Sequence, residues 1–330
     1  MSRWNLDKAN EWYNAQPWLI GCNFTPSTAV NQLEFWQADS FDLKTIDFEL
    51  GLAASLGFNT VRVYLHDLLW VKDSEAFLNR MNAFLTVASK YRIKPMFVFF
   101  DACWNNHAHL GKQPAPIPGV HNSGWLQSPS SNLLRNETQW DRLERYLKGV
   151  MTAFKDDARV LAWDLYNEPG NEGFESQSLP LLKAAFIWAR EVNPSQPLTV
   201  GIWNDAPAFE ELNAFQLANS DVISFHNYLD AANLKAQIKD LKKLNRPLLC
   251  TEYMARNSGS RFETHLPIFK HENVACYNWG LVSGKTQTIY SWDSKQNSPE
   301  PETWFHDIFR PNGEPFSQGE VKIIKSLSSH

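Results

Sequence analysis

Two glutamates carry the strongest chemical signal in the sequence. Glu168 lies in the run WDLYNEP over residues 163–169, where apolar residues lead to a carboxylic acid that is followed by proline. Glu252 lies near the end of a second apolar run, LLCTEY over residues 248–253. A charged group after such a run is unfavourable unless it is paired or does chemistry. A helix cap for the first and a structural salt bridge for the second are the alternatives.

The two glutamates together suggest a reaction that neither suggests alone. If both end strands of one barrel, their carboxyl groups approach each other across its mouth. Glycoside hydrolysis with retention needs two carboxyl groups about 5–5.5 Å apart, one to attack the anomeric carbon and one to protonate the leaving oxygen. Pro169 cannot continue a strand ladder, and we expect it to bias Glu168 toward extended backbone.

Short apolar runs predict the strands that would position these side chains. They show little polar alternation, which is typical of a parallel sheet that is covered on both faces. Eight such runs occur, at Trp18–Phe24, Thr60–Leu65, Pro95–Asp101, Val160–Asn167, Leu198–Trp203, Val222–Asn227, Pro247–Glu252 and Val274–Trp279.

Helical periodicity separates many of these runs. The helical stretches are Thr45–Leu56, Ser74–Tyr91, Trp140–Phe154, Leu179–Val192 and Leu234–Leu244. This alternation predicts an α/β fold, a single (β/α)8 TIM barrel that forms one catalytic domain over residues 1–330. We expect a lead-in helix within residues 1–17 and a closing helix within residues 320–330. No glycine-rich phosphate fingerprint follows the first strand, which argues against a dinucleotide-binding domain.

Long loops are predicted after strands one, three and eight. The longest, from Ala102 to Ser131, contains several proline, glycine, histidine and tryptophan residues. Loops of this length in a compact domain are usually functional. They follow strands and therefore lie on the carboxyl face, where barrel enzymes place their sites.

The composition narrows the class of partner. A net charge of −5, from 31 basic and 36 acidic residues, gives no sign of binding to nucleic acid or to an anionic membrane. Fourteen tryptophans suit a carbohydrate site, although large cores also use tryptophan. The four cysteines, in apolar runs and without a CxxC pair, predict free buried thiols. The first residues have no apolar signal-peptide region, so we expect a cytoplasmic protein, or a secreted one if a signal peptide has been removed.

The order of the motifs resembles clan A of the glycoside hydrolases, and family 5 most closely, over nearly the whole chain. The resemblance implies that Glu168 is the general acid/base and Glu252 the nucleophile. Arg62 in NTVRV matches the family's strand-two arginine. The strand-six pair and the strand-eight tryptophan of the family are matched by His226 and Tyr228 in SFHNY and by Trp279 in YNWG.

The supporting residues have roles that agree with this resemblance. Asn167 can donate an amide N–H to the sugar 2-hydroxyl. Arg62 would hold Glu252 in its ionised form, and Tyr228 can donate its O–H to the same carboxylate.

The proposed acid needs a proton at neutral pH. We therefore expect burial or a neighbouring carboxylate to raise the pKa of Glu168. His226 is expected to form a hydrogen bond near Glu168; a satisfied core histidine is the alternative.

The sequence departs from the family at the end of strand three, where many members have a histidine. The run here is FFDACW over residues 99–104, so Asp101 or Trp104 would take that role. Further candidates for sugar contacts, for some of which plain packing is an equal alternative, are His121, Trp125, Trp203, Asn204 and Trp292.

A histidine pair offers the one hint of a metal. His107 and His109 form an HxH motif, but it lies in the loop after the third strand and no third or fourth ligand is evident. We favour a loop or sugar-contact role and expect no metal and no cofactor.

These observations predict a retaining β-glycosidase that acts on short β-linked oligosaccharides of gluco or manno configuration. The expected partner is an oligosaccharide, with no nucleic acid and no membrane. The main alternative is an endo-β-1,4-glycanase of the mannanase, glucanase or xylanase type. A sugar-binding barrel without turnover and a metal-dependent barrel hydrolase are further alternatives.

Overall fold

Parallel strands close into a barrel in the computed structural model, which describes residues 2–328. The sheet order is β5-β4-β3-β2-β1-β9-β8-β7-β6. Only Val200 separates β5 from β6, so these two short strands share the fifth of eight barrel positions. The predicted (β/α)8 barrel and its eight strand positions are confirmed. The strands are β1 Ile20–Asn23, β2 Thr60–Tyr64, β3 Lys94–Asp101, β4 Ala162–Asn167, β5 Leu198–Thr199, β6 Gly201–Ile202, β7 Ile223–His226, β8 Leu248–Tyr253 and β9 Ala275–Trp279.

Helices surround the barrel. They are α1 Leu6–Asn14, α2 Gln32–Trp36, α3 Leu43–Ser55, α4 Asp67–Lys90, α5 Ser131–Leu134, α6 Asp141–Phe154, α7 Leu179–Val192, α8 Glu210–Asn219, α9 Ala231–Leu241, α10 Phe262–Glu272 and α11 Gln318–Ser328. Short 3₁₀ turns lie at Glu137–Gln139, Glu175–Ser178, Pro207–Phe209, Lys242–Leu244 and Arg256–Ser258.

The helix predictions were accurate in position but incomplete. α4 begins before the predicted stretch because it continues across a kink at Asp73. α2, α5, α8 and α10 were not predicted; α10 contains Pro267, which interrupts a helical pattern. α1 and α11 correspond to the lead-in and closing helices, while Met1, Ser329 and His330 of those predictions lie outside the described residues.

The apolar runs form the core between the strands and the helices. Leu50, Phe84, Leu147 and Leu182 have no exposed surface and belong to one continuous hydrophobic cluster. The four cysteines are buried and free, as predicted. No helix within residues 2–328 is long and apolar enough to cross a membrane.

The carboxyl ends of the strands have a different composition. Asn23, Arg62, Asn167, His226 and Glu252 lie at or near the ends of five strands, and all are buried. Buried polar groups are unfavourable unless they are hydrogen-bonded, so this layer must form an internal network. The barrel therefore has an apolar body and one polar end.

Two long loops meet above this polar end. We call the loop clasp the contact between residues 117–122, after β3, and residues 284–297, after β9. Its hydrogen bonds include Asn122 N to Thr286 O at 2.8 Å, Asn297 N to Pro118 O at 2.7 Å, Gly119 N to Gln287 Oε1 at 2.9 Å, His121 N to Ser294 Oγ at 3.0 Å and Gln287 Nε2 to Ile117 O at 2.7 Å.

Candidate active site

The two glutamates meet across the barrel mouth. Glu252 lies within β8, and Glu168 directly follows β4. One oxygen from each carboxylate and one ring nitrogen of His226 all lie within 4.8 Å of one another. This separation is close to the roughly 5–5.5 Å of retaining glycosidases and well below the roughly 6.5–9.5 Å of inverting ones.

Donors surround both oxygens of Glu252. Arg62 Nη1 and the Tyr64 hydroxyl each donate to Oε1 at 2.8 Å, and the Tyr228 hydroxyl donates to Oε2 at 2.8 Å. Burial raises the pKa of both tyrosines well above the usual value, so they remain protonated donors. The register of β8 against β9 shifts between Cys250 and Tyr253, an irregularity that re-aims side chains next to a site.

Arg62 is the centre of the polar network. Its fully buried guanidinium contacts Asp164 Oδ2 at 2.8 Å and donates to Asn167 Oδ1 at 2.7 Å, in addition to Glu252. Burial alone would lower the pKa of Arg62, but Tyr64 and the two carboxylates raise it above the usual value. The cation is therefore permanent and neutralises charge directly beneath the cavity.

Glu168 lies on a turn rather than on extended backbone. Its φ is +45°, so the expectation that Pro169 would hold it extended is wrong. The chain must leave β4 sharply here: Asn171 N donates to Glu168 O at 3.0 Å, and Gly170 has a φ of +89°. The turn directs the carboxyl group into the cavity.

The partners of Glu168 differ from those of Glu252. His226 Nδ1 lies 2.8 Å from Oε1, while Asn171 Nδ2 and Cys103 Sγ donate to Oε2 at 2.6 Å and 3.1 Å. Burial raises the pKa of the Glu168 carboxyl. The hydrogen bond and charge of His226, together with the other two donors, lower the pKa by more than burial raises it. The pKa is therefore lowered, and the predicted increase is wrong.

Asp101 lies behind the cavity wall and orients other residues. It is fully buried, and it accepts hydrogen bonds from Asn167 Nδ2 at 3.0 Å and Trp125 Nε1 at 2.7 Å. Burial raises the pKa of Asp101 to about 7. Of the two candidates for the missing strand-three histidine, only Trp104 lines the cavity.

The cavity has a volume of about 730 Å³. Apart from the two glutamates, the predicted residues that line it are Trp104, His121, Trp125, Asn167, Trp203, His226, Tyr228, Trp279 and Trp292. Arg62 and Asp101 lie beneath its surface. Asn204 is not in the lining, contrary to the prediction, because its Oδ1 accepts a hydrogen bond from Ala206 N within its own loop.

The tryptophans differ in what they offer a sugar. Trp279 and Trp125 both line the cavity and pack edge to face, with ring centroids 5.8 Å apart. Trp125 is almost completely buried, so it forms a wall rather than a stacking platform. Trp292 is 46% exposed and lies against the Tyr228 ring, and Trp203 Nε1 donates to Pro169 O.

Three side chains that form hydrogen bonds with the two glutamates were missed by the sequence analysis, namely Tyr64, Cys103 and Asn171. Tyr64 could have been found, because residues two apart on a strand face the same side and Arg62 had already been identified. Cys103 and Asn171 left no such signal. They reach Glu168 only because a loop and a turn bring them there.

Within residues 2–328, one group of side chains has the spacing of a metal site, and it is Glu168, His226 and Glu252. A direct hydrogen bond between His226 and Glu168 already occupies the space between two of these groups. His107 and His109 are exposed and belong to no such group in the described part of the chain.

Comparison with known proteins agrees with this geometry. The family model for cellulase (glycosyl hydrolase family 5) matches residues 28–296. A GH5_18 protein from Streptomyces cattleya in complex with GlcNAc superimposes with a TM-score of 0.65 at 13% identity, over 94% of this chain and 79% of the other.

Two further solved structures have the same fold. Exo-beta-1,4-mannosidase Op5Man5 from Opitutaceae bacterium strain TAV5 gives a TM-score of 0.63 at 16% identity, over 94% of this chain and 59% of that one. The endo-beta-1,4-mannanase from Thermotoga petrophila gives 0.59 at 13% identity, over 94% and 76%. None of the curated proteins matches the sequence.

Proposed function

We propose, from the premise that this chain belongs to glycoside hydrolase family 5, that it is a retaining β-glycosidase for short β-linked oligosaccharides. The chain is a glycoside hydrolase by that membership. The retaining mechanism rests on one observation, the carboxylate oxygens of Glu168 and Glu252 within 4.8 Å of each other. Both glutamates belong to one barrel, which supports a single catalytic domain.

Glu252 is the nucleophile in this proposal. Its charge-assisted hydrogen bonds from Arg62 and Tyr228 hold the carboxylate in a fixed orientation. An oxygen of Glu252 forms a bond to the anomeric carbon as the bond from that carbon to the leaving oxygen breaks. The product of this step is a covalent glycosyl-enzyme.

Glu168 transfers the proton in both steps. It protonates the leaving oxygen in the first step, drawing on one proton that it shares with His226 across 2.8 Å. In the second step the Glu168 carboxylate takes a proton from water, whose oxygen displaces Glu252 from the anomeric carbon. Two displacements restore the original configuration, and the proton returns to the pair of Glu168 and His226.

The loop clasp supports action at a chain end. The sugar that reacts lies over Glu252 and Trp279, while the leaving group lies beside Glu168. His121 and Asn122 of the clasp line the cavity, and hydrogen bonds tie this loop to the loop after β9. The clasp is therefore a wall of the cavity made of two tied loops, and in this proposal it limits the space beyond the reacting sugar. The volume of about 730 Å³ is within the range of pockets for compact ligands, about 300–1,000 Å³.

The configuration of the sugar is gluco or manno in this proposal. Exo-beta-1,4-mannosidase and endo-beta-1,4-mannanase occur among the structures of the same fold, as does a GH5_18 complex with Manb1-4GlcNAc. These relatives favour manno-configured substrates as the first to test.

An endo-β-1,4-glycanase is the second candidate. One observation favours it: Trp203 and Trp292 line the cavity, and the 46% exposed ring of Trp292 offers a stacking surface on which further sugar units could rest. An endo enzyme also needs space beyond the reacting sugar, where the clasp lies.

Product analysis separates these candidates. A screen of aryl β-mannoside, β-glucoside, β-xyloside, β-galactoside and β-fucoside identifies the sugar, and matching oligosaccharides labelled at the reducing end identify the bond. We expect a single sugar to be released from the unlabelled end, and proton NMR to show the β-anomer first. Early internal cleavage would support the endo candidate, and an α-anomer as first product would contradict retention.

Substitution of a catalytic glutamate should abolish turnover, whereas substitution of an exposed glutamate should not. Glu252→Gln should abolish hydrolysis of the best substrate, whereas Glu302→Ala, at an exposed carboxylate, serves as the control. If Glu252→Gln binds sugar as the parent does and the parent itself does not hydrolyse any of these glycosides, the protein is a sugar-binding barrel.

A further inference from the structure

Cys103 is a cysteine of the cavity wall whose thiol lies against Glu168. Its Sγ is 3.1 Å from Glu168 Oε2, a hydrogen-bonding distance for sulfur, and the residue is 7% exposed. Cys22, Cys250 and Cys276 are completely buried and do not line the cavity. The position of Cys103 therefore sets it apart from the other cysteines.

Neighbouring groups fix the direction in which the thiol donates. The side-chain amides of Asn167 and Asn171 both donate to Cys103 Sγ at 3.4 Å. Since the sulfur accepts from both, its own proton is directed to Glu168. Burial and the nearby carboxylates raise the pKa of Cys103 well above the usual value, so the thiol remains a donor.

The hydrogen bonds of Glu168 are distributed unequally between its two oxygens. Oε2 accepts from Asn171 at 2.6 Å and from Cys103, whereas among the described residues 2–328 only His226 forms a hydrogen bond with Oε1. A carboxylate oxygen has two lone pairs, so Oε2 has none left for a proton. Oε1 keeps one lone pair free.

We propose that Cys103 is a positioning residue that, together with Asn171, saturates Oε2 of Glu168 and thereby keeps the catalytic proton on Oε1, next to His226. A thiol is a weak donor. It therefore stabilises the Glu168 carboxylate only slightly and leaves the group able to regain its proton in each cycle. This inference rests on the proposed function, because it takes Glu168 as the acid/base.

Substitutions that remove or restore the donor test this role. Cys103→Ala and Cys103→Val have no donor, Cys103→Ser keeps one, and Cys22→Ala controls for the loss of a buried thiol. The measurement is kcat/KM against pH on an unactivated disaccharide, whose cleavage requires protonated Glu168. Thermal unfolding of each variant verifies that it is folded.

Loss of the donor should raise the pKa of Glu168, because its ionised form loses a hydrogen bond. We expect Cys103→Ala and Cys103→Val to move the basic limb of the profile to higher pH, by about half a pH unit to one pH unit. Cys103→Ser should keep the limb at or below its parental position, since a hydroxyl donates more strongly than a thiol. Cys22→Ala should leave it unchanged.

The proposal would be overturned if kcat/KM fell equally at every pH and the basic limb stayed in place, because a purely structural role has that effect. It would also be overturned if Cys103→Ser moved the basic limb to higher pH, as Cys103→Ala and Cys103→Val are expected to do. Having two variants without a donor keeps the test valid if one of them does not fold. Failure of the proposed function is distinct: the parent would then show no turnover, or Glu168→Ala would cleave the disaccharide at the parental rate.

Discussion

The two glutamates are only a few ångströms apart, yet their surroundings differ in kind. Glu252 lies within β8 and receives hydrogen bonds from one permanent cation, Arg62, and two phenols. Glu168 lies on a strained turn, and its hydrogen-bond partners are the imidazole of His226, the amide of Asn171 and the thiol of Cys103. The comparison teaches that the proposed nucleophile is oriented by a permanent cation, whereas the proposed acid/base, which must gain and lose a proton, has no such cation among its hydrogen-bond partners in residues 2–328.

Removal of Glu252 should have the largest effect. Glu252→Ala deletes the attacking oxygen, and we expect turnover to fall on the order of 10⁴- to 10⁶-fold. Added azide or formate should restore part of the rate, because a small anion can occupy the vacated space. Steady-state kinetics with an activated aryl glycoside, with Glu302→Ala as control, measures both. Parental turnover by Glu252→Ala would remove Glu252 from the mechanism.

Removal of Glu168 should have an effect that depends on the leaving group. Glu168→Ala cannot protonate the leaving oxygen, so unactivated glycosides should lose about 10²- to 10⁴-fold in kcat. Glycosylation by dinitrophenyl glycosides should be nearly unaffected, since that leaving group needs no proton. Parallel kinetics on both substrates measure the difference. Equal losses on the two would mean that the glutamates do not divide the work as proposed.

Arg62→Met should test the surroundings of Glu252 through the free energy of unfolding. The substitution leaves Asp164 and Glu252 buried without their cation, and breaking a buried pair typically reduces the free energy of unfolding by about 3–5 kcal/mol. Urea unfolding measures this change. Arg145→Met, at an exposed position of α6, should stay within about 0.5 kcal/mol of the parent. A loss no greater than that of the control would mean that Arg62 does not stabilise the pair.

His226→Ala should test the surroundings of Glu168 through the pH dependence of kcat/KM. Without His226, burial remains as the largest influence on the pKa of Glu168, and burial raises it. Glu168 then keeps its proton to higher pH, so the basic limb of kcat/KM should move upward by about one unit or more. The exposed residue His109 provides the control His109→Ala. A basic limb that stays in place would show that His226 does not tune this proton.

Much of the fold could be predicted because burial on both faces of a parallel sheet leaves a local mark. Apolar runs such as LLCTEY can only be strands or buried helix segments, and their length decides between the two. α8 and α10 left a weaker mark. α8 buries the polar residue Gln216, and α10 carries Pro267 and buries His265, so neither helix shows the simple apolar period.

The residues of the site also fall into those that the sequence could predict and those that it could not. Glu168, Glu252 and Arg62 could be predicted because they end or interrupt apolar strands. Asn171 and Cys103 could not, because their approach to Glu168 depends on a turn and a loop whose shapes no periodicity encodes. The direction of the Glu168 pKa was also missed, since it depends on distances to donors rather than on burial alone.

The backbone of Glu168 links the stability of its turn to its side chain. A residue other than glycine with positive φ is strained by about 1–3 kcal/mol, and Trp104, Asn122 and Glu172 of the cavity share this conformation. Glycine at position 168 would relieve the strain, but it would also leave the buried groups of His226 and Asn171 without their acceptor, so the two effects on stability oppose each other. The strained backbone is thus held in place by hydrogen bonds of the same carboxyl group that is proposed to transfer the proton, which ties the stability of this turn to the chemistry.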